Sequence, residues 1–172
     1  KAKEYLAQSK YADSYQDMPI EILCNSDVQD LEKIALAFQA AAQQVGISVE
    51  ISKAPWVTVV ERVSSVESTP HCLSINAGPN FNEAGSTLET RYHSKTTGTY
   101  ENGEWLQDAE LDKQIEDALA TVDKDERFAK YAEIQNHIVD DLCPTAWLAD
   151  LTERVAYQSS YVEWPAIQPN AD

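Results

Sequence analysis

Hydrophobic and polar residues alternate in two short stretches near the start of the chain, and a helical pattern separates these stretches. IEILC (residues 20–24) and ISVEIS (47–52) have the period of two that is typical of strands. Between them, Gly46 provides a C-terminal stop for a helix. The apolar residues at helical spacing are Leu31, Ile34, Ala35, Phe38, Ala41, Ala42 and Val45. This order predicts a βαβ unit, with parallel strands and a right-handed crossover.

The rest of the chain predicts more helices and a few short strands. A C-terminal helical pair is expected over 108–121, with an apolar stripe ending at Val122, and over 123–142, with Ile138 on its apolar face. Further helices are predicted over 2–11, 55–63 and 87–92. Further strands are predicted at HCLSI (71–75), TAWLA (145–149) and RVAYQ (154–158). The fold class is therefore α/β, with a mixed sheet flanked by helices.

Charge and length narrow the classes of protein that fit. The 172 residues include 13 Lys and Arg against 29 Asp and Glu, which gives a net charge of −16. A surface this acidic repels phosphate backbones and anionic lipid, so nucleic acid is not an expected partner. The length predicts a single domain over 1–172. No apolar run is long enough to cross a membrane and no signal peptide is visible, and the opening resembles the middle of a helix. We therefore expect a piece of a longer protein.

No set of residues predicts catalysis, a metal or a cofactor. His71, His93 and His137 lack the spacing of metal ligands, and the chain has no nucleophile elbow or phosphate-binding glycine loop. The acidic residues between 101 and 117 are interpreted as a solvated helix face. The three cysteines, Cys24, Cys72 and Cys143, have apolar neighbours and are predicted to be buried free thiols, with one disulfide as the alternative.

Polar residues at the ends of the first and third strands predict a binding site. Ligands of open α/β sheets bind outside the carboxyl ends of parallel strands, and amide side chains suit neutral polar ligands. An Asn-rich loop, INAGPNFNEAG (residues 75–85), follows the third strand. The candidate ligand-binding residues are Asn25, Ser26, Trp56, Asn76, Asn80, Phe81 and Asn82. Trp105 is a further loop aromatic of this kind, and the alternative for the Asn and Gly residues is that they only form turns.

Three ordered stretches resemble one known family. The opening EYLAQSKYAD, the stretch AFQAAAQQVGISVEI and the long stretch from DAELDKQIEDALATVD to DDLCPTAWL are similar to corresponding segments of bacterial extracellular solute-binding proteins of family 5. These proteins serve peptide, nickel and related ABC transporters. The resemblance covers residues 2–157 in order.

The resemblance implies a type II periplasmic-binding-protein-like lobe and a function without catalysis. Residues 1–172 would form most of the C-terminal lobe of a two-lobed receptor, and the N-terminal lobe would belong to the same chain. Its partners would be a small solute, held between the lobes, and the permease subunits of the transporter. The protein would be periplasmic or extracellular, either secreted or lipid-anchored. Two other classes stay open, a stand-alone acidic interaction module and an α/β enzyme.

The Asn-rich loop departs from the pattern of the peptide-binding members. Those members resemble W..DYPDP at this place, where an Asp can pair with the amino terminus of a peptide. Here Asn80 and Asn82 lie near that position, and Glu83 is the only acid in the loop. The loop therefore favours an uncharged polar ligand such as an oligosaccharide, and an oligopeptide would need Glu83 or the other lobe as its charge partner.

Overall fold

The computed structural model describes residues 1–81, 83–149 and 156–162, and these fall into two compact units. The first, which we call the sheet unit, comprises Lys1–Ala77 and Thr97–Trp105. The second, the helical unit, comprises the described residues of Gly78–Thr96 and Leu106–Asp172. Each unit is described by itself.

The sheet unit contains the predicted βαβ start. Its elements are α1 (Ala2–Gln8), β1 (Ile20–Asn25), α2 (Gln29–Gln43), β2 (Val49–Ala54), α3 (Trp56–Arg62) and β3 (Cys72–Ser74). The strand order is β2-β1-β3, and both pairs of strands are parallel. The α/β fold class and the βαβ unit are confirmed, while the sheet formed by the described residues is parallel rather than mixed.

The central strand β1 is covered on both faces, as parallel strands usually are. Ile22 and Cys24 pack on one face with Leu31, Ala35 and other residues of α2 and β2. Leu23 points to the other face and packs with Val59 of α3 and with Ala54. This alternation buries three consecutive residues of β1 and fixes the positions of α2 and α3 on opposite sides of the sheet.

A partly buried ion pair joins α3 to β1. The Arg62 guanidinium donates to both carboxylate oxygens of Glu21, over 2.7 and 2.8 Å. The Ser52 hydroxyl donates to the same carboxylate, and Arg62 Nε donates to the Ser68 carbonyl. The hydrogen bond from Arg62, followed by that from Ser52, lowers the pKa of Glu21 to about 2 from its ordinary value of 4.5.

This ion pair predicts an acid-dependent loss of stability. Because the pKa of Glu21 is lower in the folded state, its contribution is present above about pH 4.5 and is lost as the pH falls towards 2. The shift corresponds to at most about 3 kcal/mol. Glu21→Gln should therefore lower the free energy of unfolding at pH 7. The difference in this free energy between the variant and the wild type should be smaller at pH 3. Urea unfolding at the two pH values measures this.

The control for this prediction is Glu32→Gln. Glu32 pairs with Lys53 at 2.8 Å on the surface, where such pairs contribute about 0–1 kcal/mol. A Glu21→Gln protein with the same difference from the wild type at both pH values would contradict the assignment of the acid dependence to Glu21.

The helical unit contains α4 (Ala84–Tyr92), α5 (Ala109–Ala120) and α6 (Lys124–Asn136), followed by a π-helical stretch (His137–Leu142). Asp108 caps α5 and Asp123 caps α6 through side-chain hydrogen bonds to backbone amides. The predicted C-terminal helical pair is confirmed. The core of this unit comprises Leu88, Tyr92, Leu111, Ile115, Ala118, Tyr131, Ile134 and Ile138.

Several finer predictions are wrong. Phe38 and Val122 are exposed, although both continue apolar stripes. Thr145–Ala149 has irregular backbone instead of the predicted strand. In the other predicted strand, residues 154 and 155 lie outside the described residues, and residues 156–158 are irregular. Of the thiols, only Cys24 is buried, whereas Cys72 and Cys143 are exposed and all three are free. Apolar sequence neighbours did not predict burial there because β3 is an edge strand and Cys143 follows the last turn of a helix.

Candidate ligand-binding site

The carboxyl ends of the three strands meet at one edge of the sheet unit. Asn25, the last residue of β1, is opposite Ala54, the last residue of β2, and Cys24 is opposite Ser74 at the end of β3. Asn25 is half-buried, whereas Ser26 and Asn76 are exposed. The predicted residues of the sheet unit therefore follow strand ends at a common edge, which is where ligands of such sheets bind.

The segment after β1 also forms a turn of its own. The Asn25 side-chain oxygen accepts a hydrogen bond from the Asp27 amide at 3.0 Å, and the Ser26 amide donates to the Ala54 carbonyl at 2.8 Å. The Ser26 hydroxyl donates weakly to the Asp27 carboxylate, over 3.4 Å. The turn interpretation thus accounts for the Asn25 side-chain oxygen.

Trp56, the first residue of α3, is half-buried and packs against a second aromatic ring. Its ring meets Tyr100 edge-on, with centroids 5.1 Å apart and planes at 75°, a favourable geometry for aromatic pairs. It also packs on the small cluster around Leu23 and Val59. Sequence reasoning missed Tyr100, since no local pattern connects it with a residue 44 positions earlier.

Trp105 has a structural role in the sheet unit. Its backbone is left-handed, with a φ of 56°, which is rare for a large side chain. The indole Nε1–H donates to the Thr69 hydroxyl at 2.9 Å. The ring also lies near Gly98, where a built Cβ would be 3.7 Å from it. These contacts hold the indole ring in place within the sheet unit.

The second half of the Asn-rich loop belongs to the helical unit. Asn80 and Phe81 are exposed, and the exposed fraction of Phe81 is 58%. Their backbone amides donate to the hydroxyl of Ser86, at 3.0 Å for Asn80 and 3.4 Å for Phe81. Ser86 is fully buried, so the backbone of the loop is held from inside while the side chains of Asn80 and Phe81 are accessible. Asn82 lies outside the described residues.

Glu83, at the end of this loop, is the centre of a polar cluster. Its Oε2 accepts from the Gly85 amide at 3.0 Å and so caps α4. Its Oε1 accepts from Arg127 Nε at 3.1 Å and from the Tyr131 hydroxyl at 2.7 Å. Burial, together with the hydrogen bond to Glu83, raises the pKa of Tyr131 to about 12. The sequence pattern places the start of this helix only at residue 87, so it misses the cap, and no local pattern connects Glu83 with Arg127 or Tyr131.

His93 and His137 each lie next to carboxylates. His93 is buried, with Nδ1 3.4 Å from Asp112 and Nε2 3.3 Å from Glu116. His137 Nδ1 lies 2.8 Å from Asp141 one helical turn later. Burial raises the pKa of the Cys24 thiol. Within the part of the chain that the structure describes, no three His, Cys, Asp or Glu side chains are grouped as metal ligands would be.

Comparisons with known proteins identify the class. Residues 1–99, more than half of the chain, match the sequence model of bacterial extracellular solute-binding proteins, family 5 (middle part). The probable D,D-dipeptide-binding periplasmic protein DdpA of Escherichia coli K12 is 30% identical over 111 residues, which are 64% of this chain and 21% of that protein. The chain therefore belongs to the family of bacterial extracellular solute-binding proteins, family 5, as the resemblance predicted.

Solved structures agree on the fold. The periplasmic binding protein DppA of Helicobacter pylori, in complex with the peptide STSA, has a TM-score of 0.69 at 23% identity, over 80% of this chain and 26% of that one. A dipeptide-binding protein of a Pseudoalteromonas species, in complex with Met-Leu, has a TM-score of 0.72 at 20% identity, over 83% of this chain and 28% of that one. The predicted resemblance to a periplasmic-binding-protein lobe is confirmed.

These comparisons also give the cellular location of the family and the share of its relatives' length that this chain covers. The chain spans about a fifth of the length of the curated relative and less than a third of these two structures. The family is extracellular or periplasmic, as expected for this chain. The helices of the described residues are too short or too polar to span a membrane. These relatives are named for binding solutes rather than for catalysing reactions.

Proposed function

We propose that the full-length protein is the substrate-binding component of an ABC importer, and that residues 1–172 supply most of its C-terminal lobe. In this role it captures a small solute between two lobes and delivers it to the permease subunits without chemical turnover. Membership of the solute-binding family carries this proposal. Ligand contacts would favour the closed state of the two lobes over the open state, and the permease would recognise the closed state.

The ligand is proposed to be an oligopeptide or an oligosaccharide. Peptides are supported by the names of the relatives, which include a D,D-dipeptide-binding protein and structures with bound peptides. An uncharged polar ligand is supported by the loop itself, because Asn80 and Phe81 are exposed while their backbone is fixed by Ser86. Amides and an aromatic ring together suit sugar hydroxyls and peptide groups.

A thermal-shift screen of the full-length protein tests this proposal. The panel contains di- and oligopeptides, oligosaccharides and nickel chelates, and a ligand that binds only the native state must raise the melting temperature. A shift with peptides or sugars supports the proposed ligand classes. A shift with nickel chelates alone would keep the receptor but reject those classes, and no shift with any compound would count against solute capture.

The amide side chains of the loop predict a loss of affinity on truncation. Asn80→Ala combined with Asn82→Ala should weaken binding of the solute found in the screen by tenfold or more, since each lost hydrogen bond contributes about 1 kcal/mol. The melting temperature without ligand should hardly change, because Asn80 is exposed. Isothermal titration calorimetry measures the affinity. Gln135→Ala, which removes an exposed amide on α6, is the control. Unchanged affinity in the double variant would mean that the loop is only a turn.

A further inference from the structure

We propose that Glu83 is a positioning residue for the Asn-rich loop and that its carboxylate is not a contact for a cationic group of the ligand. This inference rests on the proposed function, because it assigns a role within the same binding loop. It concerns the Glu83 cluster, which we define as Glu83, Gly85, Ser86, Arg127 and Tyr131.

The first argument is that both oxygens of Glu83 already have partners. Oε1 accepts from Arg127 and Tyr131, and Oε2 accepts from the Gly85 amide. The side chains of Glu83 and Arg127 are 24% and 23% exposed, so the pair is partly shielded from water. A ligand ammonium would have to share this carboxylate with Arg127, whose positive charge repels it, so the gain in charge pairing would be small.

The second argument is that Arg127 joins the cluster to the connection between two helices. Arg127 Nη1 also donates to the carbonyls of Thr121 and Val122, at 3.0 and 3.1 Å, in the connection between α5 and α6. Glu83 is therefore linked through one guanidinium to the junction of two helices. The link spans 44 residues of sequence, so it restrains the end of the loop relative to the core of the helical unit.

The third argument connects Glu83 to the exposed residues of the loop. By capping α4, Glu83 fixes the first turn of the helix that carries Ser86. The Ser86 hydroxyl then accepts from the amides of Asn80 and Phe81, and the Glu83 amide donates to the Phe81 carbonyl at 2.8 Å. The backbone of residues 80–81 is thus held by groups whose positions depend on Glu83.

A consequence for the ligand follows from the sequence of the loop. Glu83 is the only acidic residue between 75 and 85, and it is paired with Arg127. The loop therefore offers amides, backbone groups and an aromatic ring to the ligand, but no carboxylate that can neutralise an ammonium. The ligand group that meets this loop is therefore not a cation.

Hydrogen exchange tests the positioning role directly. In the full-length protein, the segment 76–83 is followed by mass spectrometry in the wild type, Glu83→Gln and Lys130→Met. Lys130 lies on the same helix as Arg127 and bonds to Asp117, Glu126 and the Thr121 hydroxyl, but not to Glu83, so it is the matched control. Glu83→Gln should accelerate exchange of the segment about tenfold, the effect of losing about one charged hydrogen bond. Lys130→Met should leave it unchanged.

A second variant keeps the test decisive if Glu83→Gln does not fold. Tyr131→Phe removes one hydrogen bond to Glu83 and retains the ring in the core, and it should accelerate exchange of the same segment by a smaller factor. Exchange of segment 76–83 at the wild-type rate in folded Glu83→Gln would overturn the positioning role. If Glu83→Gln does not fold, the same result in Tyr131→Phe would overturn it.

Two dipeptides test the claim about the ligand cation. The probes are the dipeptide Ala-Ala, which has a free amino terminus, and N-acetyl-Ala-Ala, which has none. If Glu83 is a positioning residue, Glu83→Gln weakens binding of both by the same factor. Loss of affinity for the free-amine form alone would overturn the proposal, because Glu83 would then be the partner of the ammonium. Failure of both dipeptides to bind the wild type would count against peptides under the proposed function, and the exchange result would still decide the role of Glu83.

Discussion

Replacing Ile138 with alanine should lower the free energy of unfolding by about 2–5 kcal/mol. Only 2% of Ile138 is exposed, and it packs in the core of the helical unit formed by α4, α5 and α6. The truncation removes buried methyl groups and leaves a cavity that the surrounding helices can fill only in part. Urea unfolding followed by circular dichroism measures the change.

Val139→Ala is the matched control for this prediction. Val139 is the next residue in the same π-helical stretch, but 47% of it is exposed. Its truncation should change the free energy of unfolding by less than about 0.5 kcal/mol, as is usual at the surface. Equal losses in the two variants would contradict the assignment of Ile138 to the core.

Phe38 shows the limit of the same reasoning in the sheet unit. The apolar period of α2 predicts that Phe38 belongs to the core, as Ile138 does, but 47% of Phe38 is exposed. Its neighbours on the same helix face, Ala35 and Ala42, are buried against the sheet. These two alanines bring α2 close to the sheet, so little room is left between helix and sheet for the phenyl ring of Phe38. Periodicity therefore identifies the side of a helix that faces the core, but not how deeply each residue on that side is buried.

The sequence predicted the elements that its periodicity specifies strongly. The strands at 20–24 and 47–52 and the helix between them are present as β1, β2 and α2, with boundaries shifted by one or two residues. These elements have a full period of apolar residues and clear end signals such as Gly46, whose φ is 88°. The prediction of a strand at TAWLA (145–149) failed because five mostly apolar residues can belong to a strand or to irregular backbone. The sequence also shows no partner strand for them.

The candidate site could be predicted only where it depends on topology. Parallel strands bring their carboxyl ends to one edge, so the location of Asn25, Ser26 and Asn76 followed from the order of elements. The contacts of Glu83 could not be predicted in this way. Arg127 and Tyr131 are 44 and 48 residues away, and such contacts depend on how helices pack rather than on any local pattern.

Gly85→Ala should destabilise the helical unit by about 1–3 kcal/mol and loosen the Asn-rich loop. Gly85 is buried in the first turn of α4, and an added Cβ would lie 2.6 Å from Glu83 Oε2 and from Leu119 Cδ2, and closer still to the Tyr131 hydroxyl. The methyl group therefore enters the Glu83 cluster, where at least one of the hydrogen bonds to the carboxylate must break. Urea unfolding measures the stability, and hydrogen exchange of residues 76–83 measures the loosening.

Gly78→Ala separates this steric effect from the general effect of replacing a glycine in the loop. A Cβ at Gly78 would meet nothing within 4 Å, so this variant should keep the wild-type stability within about 0.5 kcal/mol. Equal stability of Gly85→Ala and Gly78→Ala would contradict the close packing of Gly85 against Glu83. The positioning role of Glu83 would then lose its structural basis. If Gly85→Ala is destabilised and also exchanges faster than Glu83→Gln, the loop depends on the packing of the cluster as well as on its charge.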